Sequence, residues 1–164
     1  MAATRKRAYL ASPLGFADST RAFMAELVAA LHPFVEVDNP WDFGGPALGA
    51  EFARAHAIAG HDARRAALHA INMRIAAENE AAIRRCDLLV AVLDGVDVDS
   101  GTASEIGFAF GLGKRSFGLR TDSRLAGDNL GSQINLQVEY WIEASGGRVC
   151  TRLDEVVRAV GDSL

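Results

Sequence analysis

The residues of this chain best suited to chemistry lie in positions 86–114, CDLLVAVLDGVDVDSGTASEIGFAFGLGK. Behind the apolar run LLVAVL come Asp94, Asp97 and Asp99, and six residues after the last of these comes Glu105. Two carboxyl groups that face one pocket in different surroundings divide the roles of nucleophile and acid, because the surroundings set which of them holds a proton. The stretch reads as strand, loop and helix. LLVAVL is a continuous apolar run of strand length, as found in the middle of a parallel sheet covered on both faces. Gly95 and Gly101 let the loop turn and bring its backbone close to a ligand. Residues 102–113 take up helical spacing, with Ile106, Phe108, Ala109 and Leu112 on an apolar face. Glu105 then falls in the first helical turn, at the carboxyl end of the strand, where open α/β sheets bind ligands. There the macrodipole and free backbone N–H groups hold a carboxylate ionised, which suits a nucleophile. The same residues carry a plainer meaning. Thr102-x-x-Glu105 is also a capping box, in which both side chains only satisfy helix-end N–H groups, and loop aspartates are also ordinary turn residues.

The rest of the chain supplies elements to hold such a pair. Residues 6–11 read as a first strand with Tyr9 inside it, a core aromatic by composition. In the loop SPLGFADST, Ser12 to Gly15 offer backbone amides to a pocket but lack the glycine fingerprint of a dinucleotide site, which argues against NAD. Ser19 or Asp18 is placed to cap a helix over 20–31. A short strand over 34–37 leads into Asp38-Asn39-Pro40-Trp41-Asp42, where Trp41 and Phe43 either stack on a planar ligand or cover the sheet edge. Residues 44–60, with a short helix over 47–55, resemble a flap over the site. A long Ala-rich helix over 62–85 has Leu68, Ile71, Ile75 and Ile83 on its buried side and Glu78 and Asn79 on what reads as its solvated face. A strand over 115–120, a polar loop with Asp122, a helix over 133–144, a strand over 148–150 and a helix over 151–160, begun by Thr151 or Asp154, complete the chain.

Strand and helix alternate throughout. The expected fold is therefore α/β, a doubly wound parallel sheet of about five strands with helices on both faces, flavodoxin-like or Rossmann-like, in one domain spanning 1–164. Ser12, Trp41, Asp99, Glu105 and Asp122 all lie in loops or helix starts at the strand carboxyl ends, and this convergence carries the expectation of a site.

Composition narrows the function. Across 164 residues the apolar fraction is 49% and the charged fraction 23%, ordinary for a folded domain with one core. A net charge of −4 provides no basic field for nucleic acid. No apolar run approaches a membrane span, and the basic N-terminus reads as the lead-in to a strand, not a signal peptide. Cys86 and Cys150 are too few and too far apart for a disulfide framework or a zinc site, and His32, His56, His61 and His69 form no ligand spacing, so no metal is expected. A reducing cytoplasm is the simplest home.

Taken in order, YLASPLGF, ENEAAIRRCDLLVAVLDG, DSGTASEIGFAFGLGK with RTDSR, and INLQVEYWIEASGG resemble the nucleoside 2-deoxyribosyltransferases over nearly the whole chain. The core is D-S-G-T-x-x-E-I-G followed by G-K, joined to the upstream N-x-x-x-I-x-x-C-D. Members of that family exchange the base of a 2-deoxyribonucleoside by double displacement, without metal or organic cofactor. The resemblance implies that Glu105 is the nucleophile, that Asp99 protonates or hydrogen-bonds the base, and that Tyr9 positions the nucleophile. It puts Asn79 at the base, where part of the family carries aspartate; an amide offers both donor and acceptor. Ser12, Trp41 and Gly101 fall to substrate binding, and Asn135 matches a polar residue that reaches a neighbouring subunit's site. The implied partners are deoxynucleosides and free bases, together with further copies of the chain in a homo-oligomer, a dimer or larger, whose sites are completed at the subunit contact.

Other functions compete. A hydrolase would release the sugar to water from (deoxy)nucleosides or their 5′-monophosphates; Ser12 and Ser100 are available to a phosphate, without a clear basic cluster. The cytokinin-activating phosphoribohydrolase type also carries G-T-x-x-E, but with a Gly-Gly pair where this chain has Val98-Asp99-Ser100. A nucleotide-binding sensor would keep the pocket without turnover.

Overall fold

A computed structural model describes residues 5–164; the first part of the basic lead-in, residues 1–4, lies outside the described residues. The elements are β1 (Arg7–Ala11), α1 (Asp18–Leu31), β2 (Glu36–Asp38), a 3-10 turn (Pro40–Asp42), α2 (Gly45–His56), α3 (His61–Arg85), β3 (Leu88–Val92), α4 (Ser100–Gly111), β4 (Arg115–Leu119), α5 (Leu136–Ala144), β5 (Val149–Cys150) and α6 (Leu153–Gly161). The five strands form one sheet in the order β2-β1-β3-β4-β5, and every pairing is parallel. This is the expected architecture. All five residues of β3 are buried, as its unbroken apolar sequence requires of a strand covered on both faces.

Alternation along the strands splits the core in two. Ala8, Leu10, Val90 and Leu119 face α1 and α6. Tyr9, Ala11, Leu89 and Ala91 face the other way, onto Ile83 of α3, Ile106 of α4 and Ile142 of α5. Chain order reverses between β1 and β3, which leaves a crevice outside their carboxyl ends, framed by the loops after β1 and β3.

Several helix starts differ from the sequence expectation. Neither Ser19 nor Asp18 caps α1: the helix already begins at Asp18, which pairs with Arg21 at 3.0 Å, while the cap position is Ala17. In α6 the cap is Arg152 without a side-chain bond, and Thr151 is held instead by Glu155. β2 lies later than expected. Phe34 and Val35 donate back to Leu31 to finish α1, so pairing with β1 starts at Glu36 and draws Asp38 into the sheet opposite Tyr9.

Candidate active site

α4 begins at Ser100, two residues before the expected start, because Asp99 is its cap: Oδ2 of Asp99 accepts from the backbone N–H of Thr102 at 2.9 Å and from its hydroxyl at 3.3 Å. Glu105 thereby moves into the second turn, away from the free N–H groups, and the capping-box reading fails. Its carboxylate lies over β1, where Oε1 accepts from the Tyr9 hydroxyl at 2.6 Å. The expectation that Glu105 is held ionised fails with the cap. Burial pushes its pKa up to about 7; the Tyr9 hydrogen bond pulls the other way, and the charge of Asp99 adds to the rise. Tyr9 itself is 0% exposed, and burial together with the neighbouring Glu105 carries its pKa far above the ordinary phenol range, so it acts only as a donor.

Both carboxylates line a cleft of about 520 Å³ at the crevice. Each is anchored through one oxygen, Glu105 by Tyr9 and Asp99 by Thr102, which leaves Oε2 and Oδ1 without a protein partner among the described residues. Such an arrangement can present a nucleophilic oxygen and a proton-carrying or hydrogen-bonding oxygen to one bound molecule.

The walls come from loops that the strands hold in place. Ser12, at the end of β1, accepts from the Leu14 N–H through its hydroxyl oxygen at 3.1 Å, and its carbonyl accepts from the Trp41 indole N–H at 2.9 Å. That bond ties the loop after β2 to the loop after β1 and turns the indole into the cleft. Gly15 permits the contact, since a Cβ there would lie 1.9 Å from the indole ring. Gly15→Ala is accordingly expected to displace Trp41 from the cleft wall, read as a shift in its fluorescence emission. Gly101 lines the cleft beside Asp99; a Cβ on it would press on the cap oxygen at 3.1 Å.

Asn79 also lines the cleft, and its Oδ1 is buried without a protein partner among the described residues. The solvated-face reading of this position is therefore wrong: α3 runs past the crevice and turns Asn72, Ile75, Ala76 and Asn79 toward it.

The model of the family described as nucleoside 2-deoxyribosyltransferase matches residues 8–137. The chain belongs to that family. Among solved structures, the chain is similar to a conserved protein from Enterococcus faecalis V583 (24% identity, 98% of this chain and 100% of that one, TM-score 0.71). It is also similar to a 2-desoxiribosyltransferase from Leishmania mexicana (22%, 96% and 97%, TM-score 0.65), and to a CMP N-glycosidase from Clostridium botulinum (21%, 97% and 100%, TM-score 0.55). At these identities the structures attest the shared fold. A search of curated protein sequences found no match.

Several residues that line the cleft of this member of the nucleoside 2-deoxyribosyltransferase family were not singled out by the sequence. Phe16, 77% exposed, meets Trp41 edge-on at 4.6 Å between ring centroids. Leu48 and Phe52 arrive on α2, the segment read as a flap, which packs on α3 and is tied to it by the Glu51–Arg74 ion pair. The spacing of 72, 75, 76 and 79 is a helical stripe, a signal present in the sequence but masked by the assumption that the polar positions face water.

Two expected residues lie elsewhere. Asp122 does not join the cleft: it pairs with Arg124, whose guanidinium holds its carboxyl well below the usual range, and its loop is stapled to the loop after β3 by Asp94 and by the buried Arg120. Asn135 caps α5, accepting from Gln137 at 3.0 Å and Val138 at 3.4 Å, and is exposed outside the cleft. Among the described residues no group of three or more His, Cys, Asp or Glu is placed to hold a metal, and no helix is long and apolar enough to cross a membrane.

Proposed function

We propose that this chain transfers 2-deoxyribose between nucleobases by double displacement. Oε2 of Glu105 attacks the anomeric carbon of a deoxynucleoside as the bond to the base nitrogen breaks; the bonding pair leaves with the base, which takes a proton from Asp99. The sugar is then esterified to Glu105. A second base attacks the same carbon, gives its proton back to Asp99, and the ester bond breaks to free the Glu105 carboxylate. One observation carries this reading: two carboxylates on a single cleft, each fixed by one oxygen and presenting the other, with a buried phenol bonded to the nucleophile.

Oxocarbenium character develops at the anomeric carbon during both steps. A carboxylate in a half-buried setting stabilises it more strongly than in water, because less solvent screens the field. Trp41, Phe43 and Phe16 supply flat apolar surface for a base, Ser12 and Gly101 line the sugar side, and Asn79 reads the base edge. The orphaned Oδ1 of Asn79 favours a base that offers it a donor. Asn79→Asp, which can only accept when ionised, is expected to change the ratio of kcat/KM for deoxyadenosine over deoxyinosine by about tenfold.

The test of the activity is a panel of deoxynucleoside donors, incubated with and without a second free base and resolved by chromatography. Acceptor-dependent formation of the new nucleoside supports transfer. Release of free sugar at a rate indifferent to acceptor would replace it with hydrolysis, the reading that the fold shared with the clostridial CMP N-glycosidase favours; including deoxynucleoside 5′-monophosphates in the panel separates its substrates.

The chain works as a homo-oligomer in this reading. Leu136 and Tyr140 leave an apolar face of α5 exposed, with Tyr140 edge-on to Phe110 of α4, and the exposed Asn135 caps that same helix. The buried free thiols of Cys86 and Cys150 fit a cytoplasmic setting.

A further inference from the structure

The β2–α2 connection, which carries Trp41 and Phe43, is fastened at its two ends by one side chain of α3. Asp38, the last residue of β2, is 6% exposed and shares its carboxylate between two guanidiniums: Arg7, which also bonds Glu36 at 2.9 Å, and Arg85, whose Nε donates to Oδ2 at 2.9 Å. A carboxylate this deep needs its cations, since its desolvation is offset only while they stay in place. Five residues later the chain passes the same guanidinium again, the Arg85 carbon lying 5.8 Å from the centre of the Phe43 ring, within the range of a cation–π contact. Phe43 forms part of the cleft wall and packs against the core cluster that contains Tyr9. Between these two points the connection is internally bonded, Asn39 accepting from the Trp41 backbone N–H and donating to Asp42.

We propose that Arg85 is a positioning residue for the cleft: its guanidinium braces the β2–α2 connection at Asp38 and at Phe43, and so fixes the aromatic wall against which a nucleoside packs. The proposal rests on the cleft being the nucleoside site. A planar guanidinium is needed because one edge must bond a carboxylate while one face covers a ring; an ammonium does the first and only poorly the second. The neighbouring Arg84 is a built-in control. It stands over Phe108 at 5.0 Å and pairs with Glu80, a similar pair of contacts on residues that do not line the cleft.

The test has two arms. In a Trp141→Phe background, which leaves Trp41 as the sole indole, Arg85→Ala is expected to make Trp41 about twofold more accessible to acrylamide quenching, with Arg85→Lys in between and Arg84→Ala unchanged. In steady-state kinetics on one deoxynucleoside, Arg85→Ala is expected to raise KM about tenfold with kcat within about threefold, because a disordered wall costs binding before it costs chemistry; Arg85→Lys recovers part of the loss, and Arg84→Ala behaves as the parent. A double-mutant cycle with Phe43→Leu should show less than additive effects on KM. Unchanged quenching and KM in both Arg85 variants, a fall in kcat alone, or full additivity with Phe43→Leu overturns the proposal. A parent chain that neither turns over nor binds any deoxynucleoside refutes the activity assigned above, whereas the quenching arm still decides for or against the brace.

Discussion

Glu105→Gln is expected to abolish sugar transfer while making the protein more stable at pH 8. The loss follows from the chemistry: an amide oxygen is too weak a nucleophile to take the sugar, so turnover should fall by roughly three orders of magnitude or more, and no sugar adduct should appear on the intact protein by mass spectrometry. The gain follows from linkage. The pKa of Glu105 stands at about 7 in the folded chain against an ordinary value of 4.5. Between those values the folded state holds a proton that the unfolded state has released, so stability falls as pH rises through that window, and the full cost is present above about 7. At 1.36 kcal/mol per unit, that cost is on the order of 3 kcal/mol. Glutamine removes the cost, has nearly the same shape, and still accepts from the Tyr9 hydroxyl. Thermal unfolding should therefore place the variant about 5 °C or more above the parent at pH 8 and level with it at pH 4. A variant that retains exchange, or one no more stable at pH 8, contradicts the assignment of Glu105 as a half-buried nucleophile.

Tyr9→Phe should move the pH dependence. If Glu105 must be ionised to attack, the rate rises with pH through about 7 in the parent. The Tyr9 hydroxyl donates to the carboxylate and favours its charged form. Without it, the ascending limb should shift up by about one unit, and turnover at pH 7 should fall by about fivefold, with most of the loss recovered near pH 9. A fall without any shift would mean that the hydroxyl touches the substrate and leaves the nucleophile's ionisation alone. Phenylalanine fills nearly the same core space between β1 and α4, so a folded variant is expected.

Glu105 and Asp99 also show how far a local motif can be read. Both were found from residue type and spacing alone, but the motif gave two meanings and the structure kept neither whole. Capping fell to Asp99, so the helix began two residues earlier, and that shift put Glu105 in the second turn, on the buried phenol of β1, instead of among solvated N–H groups. That change reversed the expected direction of its ionisation. Asn79 is the opposite case: it lines the cleft although a polar pair on α3 argued for solvent, because a crevice beyond the end of β1 replaces water along part of that helix.

By itself the sequence determined the alternation of strand and helix, the parallel sheet and its buried centre, the family, and the candidate carboxylates Asp99 and Glu105 with Tyr9. These depend on local periodicity and on contiguous motifs, and both survive in one dimension. Tertiary structure alone decided which oxygen of each carboxylate is free, that Phe16, Phe52 and Asn72 join the cleft, that Asp122 does not, and that Arg85 meets both ends of the β2–α2 connection. Each of these depends on where separate segments converge at the reversal between β1 and β3, a distance in space that no spacing along the chain encodes.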